Sequence, residues 1–230
     1  MTSDEKSGSR LPVILISLKP SYEKPERRNH LVPSESYDKI DATTVSHGKM
    51  GTDGRLWVGE NAFPGLLGLS QQKAAYVFEN QIPASDKLED GGDSYAHSSA
   101  VVALLDKKSQ ETTKADTQAK LQYARDSLIN ASDSDQAQNL RRKRDTFTDR
   151  ELPKLRKARG GSIDELTGEP LGPGAAFHHV KPREIHTSPE DALDPGMGRL
   201  LNPESHREVH KEGVYDEKMF KEYKAKRNKT

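Results

Sequence analysis

The first apolar run of the chain, residues 11–18, reads Leu-Pro-Val-Ile-Leu-Ile-Ser-Leu. It is about half as long as a bilayer span. A basic start and an Ala-x-Ala-like exit are both missing, and Lys19-Pro20 follow directly. The run therefore predicts a β-strand over residues 13–18 of a cytoplasmic protein, not a signal peptide. Residues 20–36, rich in Pro, Ser and charge, predict surface loop. Gly51-Thr52-Asp53-Gly54 reads as a turn and residues 55–58 as a short strand. Asn61 is placed to cap a helix in which Ala62, Phe63, Leu66 and Leu67 share a face; Gly68 breaks it, and Ser70 caps a second helix running to Phe78.

Farther on, residues 81–98 are polar and rich in Gly and Asp, which predicts loop. Residues 112–130 have the composition of an exposed helix, residues 131–136 break it, and residues 137–144 and 148–158 are helical again, with Gly160-Gly161 as a hinge. Leu171-Gly172-Pro173-Gly174 is a turn signal that would join a short strand near Glu169 to another over residues 175–180. Pro203 suits a first helical turn with Asn202 as its cap. The order predicts an α+β chain: an N-terminal region over residues 1–100, a helical and basic linker over 101–160, and a small C-terminal domain over 161–230. No internal repeat is visible.

The segment over residues 55–81, with Leu66-Leu67-Gly68-Leu69-Ser70 between two short helices, resembles the turn of helix-turn-helix DNA-binding modules such as those of phage regulators. A plain structural hairpin has the same pattern. The second helix offers only Gln71, Gln72 and Lys73 for bases or phosphates.

Composition narrows the chemistry. Only 32% of the 230 residues are hydrophobic and 31% are charged, so the core is modest and polar segments are left over. The absence of cysteine excludes disulfides, Cys-ligated zinc, iron–sulfur clusters and a thiol nucleophile. Charge balances at 36 Lys+Arg and 36 Asp+Glu, but residues 141–230 hold 20 basic against 16 acidic residues. The bias is sharpest over 141–159, where nine basic residues meet three acidic ones. The C-terminal part is the one suited to meet an anion.

Five of the eight histidines fall between positions 178 and 210. His206 and His210, four apart on the predicted helix, project from one face and can grip one metal ion. The tandem His178-His179 precedes them. His30, His47 and His97 receive no role, and His186 reads as a solvated or phosphate-facing residue.

His178-His179-x-x-Pro182, a loop rich in Pro, Asp and Gly, then Leu200-Leu201-x-Pro203-x-x-His206-x-x-x-His210 resembles the HNH endonuclease motif of the ββα-metal superfamily, which includes nuclease domains of colicin-type toxins and many phage and restriction nucleases. The resemblance covers residues 163–213 and none of the first 160. It implies a ββα-metal domain that hydrolyses phosphodiester bonds of nucleic acid, in the first place double-stranded DNA. It also implies one divalent ion (Mg, Mn, Ni or Zn) held by His178, His206 and His210, with His179 as the general base. Such an ion neutralises charge on the phosphate, while a neutral imidazole of ordinary pKa ~6.5 accepts a proton at pH 7. Lys181, Arg183, Arg199 and Arg207 near the motif, and Arg156 and Arg159 in the basic run, are the candidate phosphate contacts.

Three features set this chain apart. Adjacent strand residues face opposite sides, so the implied roles of His178 and His179 require a bulge or a strand end. The family's middle Asn usually follows an Asp-Pro pair in the loop, whereas Asp194-Pro195-Gly196 is followed here by Met197, which lacks the side-chain hydrogen bonds of an amide. In zinc-knuckle members, cysteines occupy the places of Asn202 and Ser205. Two alternatives stand beside the nuclease: a DNA-binding regulator with a decayed nuclease unit, and a delivered nuclease toxin with an immunity partner. No membrane partner is expected.

Overall fold

The computed structural model describes residues 14–19, 22–27, 29–30, 32–181 and 192–227. The chain forms two compact units, one within Val13–Arg142 and one within Lys143–Thr230. Together they are mixed α and β, matching the expected α+β class.

The first unit is built on an antiparallel sheet of β1 (Leu15–Ser17), β2 (Gly48–Gly51), β3 (Leu56–Gly59), β4 (Lys87–Asp90) and β5 (Asp93–His97), in the order β1-β2-β3-β5-β4. Its helices are α1 (Ser34–His47), α2 (Phe63–Leu67), α3 (Gln71–Gln81), α4 (Ser98–Glu111) and α5 (Ala115–Ser132); α6 (Asp135–Glu151) follows, and the boundary between the units falls inside it. The expected strand (as Leu15–Ser17), turn and helical hairpin are present, but neither expected side-chain cap is made. Asn61 lies inside a short 3-10 turn, Glu60–Ala62, ahead of α2, and Ser70 holds the cap position of α3 without a side-chain bond. Gly68 ends α2 in the left-handed conformation that a residue with a Cβ rarely adopts.

Two further expectations fail in this unit. Residues 81–98 are not loop: β4 and β5 form a hairpin in which Asp90 pairs Asp93 around Gly91-Gly92, both at positive φ. That two-residue turn is the one whose twist suits a hairpin, and β4 is polar because it lies at the sheet edge. Nor is the helix of residues 112–130 exposed. α5 buries Leu121, Tyr123, Ala124, Leu128 and Ala131 in one core with Val101 and Leu105 of α4 and with Met50, Leu56, Val58 and Phe63. Thus α5 and all but the first turn of α4, read from sequence as linker, belong to this core. α1, which the sequence reading passed over, places Asp41 between the hydroxyls of Tyr22 and Tyr123, both 3.1 Å away. The sheet's first strand is held from the far end of the unit: the Gln136 amide accepts from Lys19 N at 2.9 Å and donates to Ser17 O at 3.1 Å.

The second unit continues through α7 (Leu155–Arg159) to Gly160 and Gly161, both at positive φ. It then forms β6 (Ala176–His179), β7 (Gly198–Leu201), α8 (Pro203–Lys211) and α9 (Glu217–Arg227). Leu166, Leu201, Val209, Val214 and Phe220 make its core. The strand expected near Glu169 is reduced to a single bridge, Ile163 to Pro170. The partner of β6 lies beyond the loop instead: Phe177 pairs Leu200 and His178 pairs Arg199 in an antiparallel ribbon with β7. This pairing buries Leu200 and Leu201 together, which outweighs the local turn signal. Among the described residues no helix is long and apolar enough to cross a membrane.

Candidate metal centre

Pro203 sets the first turn of α8, and Ser205 and Val209 carry its buried side. Each is followed by a histidine. One residue further is a rotation of about 100°, so His206 and His210 form a stripe flanking the buried face. Their Nε2 atoms stand 3.2 Å apart. β6 brings the third ring: His178 is buried, and its centroid lies 5.4 Å from that of His206 and 5.0 Å from that of His210. One ligand nitrogen from each of the three lies within 4.8 Å of the others.

These residues fit a metal ion. Ion–nitrogen distances of ~2.0–2.1 Å in a tetrahedron put ligand nitrogens about 3.3 Å apart, close to the His206–His210 separation. His178 Nε2 is buried without a hydrogen-bond partner, a state that buried polar atoms seldom tolerate and that an ion would relieve. Burial, then the neighbouring His210 and His206, push the His178 pKa down to about 4, against an opposing backbone hydrogen bond at Val214. Burial and His210 lower that of His206 too. At neutral pH both rings are therefore uncharged, and an uncharged imidazole is the form that ligates a metal.

His179 stands apart from this trio. There is no bulge: His178 and His179 are in regular register with Arg199 and Gly198. His179 is the last residue of β6, so the strand end is present. Its ring meets Phe177 edge to face, at a centroid distance of 4.9 Å, which puts it on the strand face opposite His178. His179 Nε2 lies 2.9 Å from the carbonyl oxygen of Ala192. That contact makes Nε2 the donor and leaves Nδ1 as the proton acceptor.

The stretch around Met197, whose thioether offers no amide hydrogen bond, is tied by one backbone bond and two side chains. Val180 N donates to Met197 O at 3.1 Å, the Asp194 carboxylate accepts from Gly196 N at 2.7 Å, and Arg159 donates to Pro195 O at 3.3 Å. Arg159 is further engaged with Glu165 at 2.9 Å, and Glu165 also meets Arg199, which pairs with Glu217. Arg159 and Arg199 are thus built into the fold. Arg156 is exposed, and Arg207 is exposed too, donating to the Pro203 carbonyl oxygen and meeting Glu204, both at 3.3 Å within its own helix turn. Lys181 is half-buried; Arg183 and His186 lie outside the described residues.

Sequence reading missed Asp164 and Glu165. Asp164 binds the nearby Leu166 and Thr167 amides but also Asn202 N, 38 residues on, and Glu165 joins Arg159 to Leu200 N, 35 residues on; no local spacing marks the distant partners. Compared with protein-family profiles, curated proteins and solved structures, the chain finds no match in any of the three.

Proposed function

We propose that the second unit is an HNH-type endonuclease that hydrolyses phosphodiester bonds of nucleic acid, with double-stranded DNA as its substrate class. The observation that carries this reading is the convergence of His178 from a strand with His206 and His210 from the helix that follows its partner strand. Strand, loop, strand, helix, with a His-His pair on the first strand and His-x-x-x-His on the helix, is the arrangement of a ββα-metal unit.

In this reading His178, His206 and His210 hold one divalent ion. When bound, it would offset the charge that builds on the phosphate and stabilise the leaving oxygen. The all-imidazole donor set suits Zn or Ni better than Mg or Mn, which prefer oxygen. His179 takes the proton of the attacking water at Nδ1, with the Ala192 carbonyl fixing its tautomer. His179 lies on the other face of β6 from His178, so this role requires its ring to reach the ion's water around the strand end. Arg156 and Arg207, exposed, meet backbone phosphates and give affinity that is salt-dependent and tolerant of sequence.

The test is a cleavage assay of the full chain on supercoiled plasmid, linear duplex, single-stranded DNA and RNA with Mg²⁺, Mn²⁺, Ni²⁺ or Zn²⁺. Nicking that disappears in His206→Ala and falls about 10²–10⁴-fold in His179→Ala supports the proposal. Absence of cleavage with every ion and substrate, or cleavage indifferent to both substitutions, overturns it.

A further inference from the structure

Asp164 is fully buried, with 0% of its surface exposed. An isolated buried carboxylate is costly. Here hydrogen bonds stand in for a counter-ion. Oδ1 accepts from Leu166 N at 2.8 Å and Thr167 N at 3.0 Å, and Oδ2 accepts from Asn202 N at 2.7 Å. The Ser205 hydroxyl is a further donor. Burial alone would raise the acid's pKa, but these bonds outweigh it and hold the group below the usual carboxylate range. The carboxylate is therefore a fixed charge that joins a turn at residues 164–167 to the first turn of α8.

Asn202 completes the junction from the other side. It occupies the cap position of α8 without capping it. Its side chain instead accepts from Gly172 N at 2.8 Å and donates to Pro170 O at 3.1 Å. Asp164-x-x-Thr167 and Asn202-x-x-Ser205 are thus two pairs of equal spacing that meet at one point. Two such pairs of cysteines are the layout of a structural zinc site, and this chain has no cysteine.

We infer that Asp164 is the positioning residue of the metal centre, its carboxylate doing the work of a structural ion by fixing the first turn of α8 so that His206 and His210 meet His178. The inference rests on the three-histidine site proposed above, but not on nuclease activity. Asp164 touches none of the three rings; it acts through Asn202 and Ser205, which lie within four residues of His206.

The test is a Co²⁺ titration of the full chain followed by ligand-field absorption, on wild type, Asp164→Asn and Ser205→Ala, with circular dichroism to check folding. Asn retains the shape but presents an amide N–H where Asn202 N needs an acceptor. Asp164→Asn is expected to bind Co²⁺ roughly ten-fold more weakly, with an altered absorption band. Ser205→Ala is expected to lose about three-fold. If Asp164→Asn keeps both affinity and spectrum and loses only thermal stability, the residue is a stabiliser and the inference falls. If Asp164→Asn does not fold, Ser205→Ala decides: unchanged Co²⁺ affinity and spectrum overturn the inference, and weakened binding in a folded chain supports it. A wild type that binds no Co²⁺ overturns the metal site itself, and this inference with it.

Discussion

Gly198 lies under the ring of Phe177 with no room for a side chain: a Cβ there would come within 2.2 Å of the ring's Cζ and 2.7 Å of the His178 carbonyl oxygen. The backbone at Gly198 is extended, so the requirement is close approach, not conformation. Gly198→Ala is expected to pry β6 from β7 beside His178. The second unit should lose about 1–3 kcal/mol in urea unfolding and bind Ni²⁺ more weakly. Unchanged stability would mean the ribbon accommodates a methyl group.

Metal addition should stabilise the second unit. At a free Ni²⁺ concentration of 100 times Kd, linkage gives about 2.7 kcal/mol, visible in calorimetry as a rise of its transition and reversed by EDTA. His206→Ala and His210→Ala each remove one of three ligands and should abolish the rise. A rise that survives both changes would locate the ion elsewhere.

Acid should erase the contribution of Asp164. Its folded pKa is lowered because hydrogen bonds from Asn202, Thr167, Ser205 and Leu166 overcome the upward push of burial. A depressed acid contributes stability that is fully present above its unfolded pKa, about 4, and is lost as pH falls through the folded value. The difference in unfolding free energy between wild type and Asp164→Asn should therefore be largest at pH 6–7 and close below about pH 4. A difference that stays constant with pH would assign the effect of the substitution to shape.

Arg156 and Arg159, three residues apart, should separate binding from folding. Arg156→Ala is expected to weaken duplex binding evenly across sequences and to reduce the salt slope by about 1, leaving stability unchanged. Arg159→Ala breaks the pair with Glu165 and the bond to Pro195 O and should cost about 1–2 kcal/mol of stability. Equal losses of DNA affinity at constant stability would contradict this division.

The helical half of the histidine trio was legible because His206 and His210 sit at the helical repeat and Pro203 announces their helix. The ribbon was legible only in part. β7 has four residues, abuts α8 without turn residues, and pairs with a strand that eighteen residues separate from it in the sequence, so nothing local names its partner. In the first unit, Gly68 and Ser70 marked the hairpin of α2 and α3, whereas β4, polar at its sheet edge, looked like loop. α5 carries Gln, Lys and Arg on its open side, which hid how completely Leu128 and Ala124 are buried. Asp164 left no trace, since any acidic residue near a turn looks solvated until its distant donors are known.

The clasp of Gln136 on Ser17 and Lys19 spans 119 and 117 residues of sequence. Contacts this remote form late, because the closure of so long a loop must precede any gain from them. On the ribosome, β1 can pair β2 once residue 51 has emerged, but the clasp that locks its end waits for the start of α6. Nascent chains released before residue 136 should stay protease-sensitive at their N-terminal strand, and those released after α6 should not.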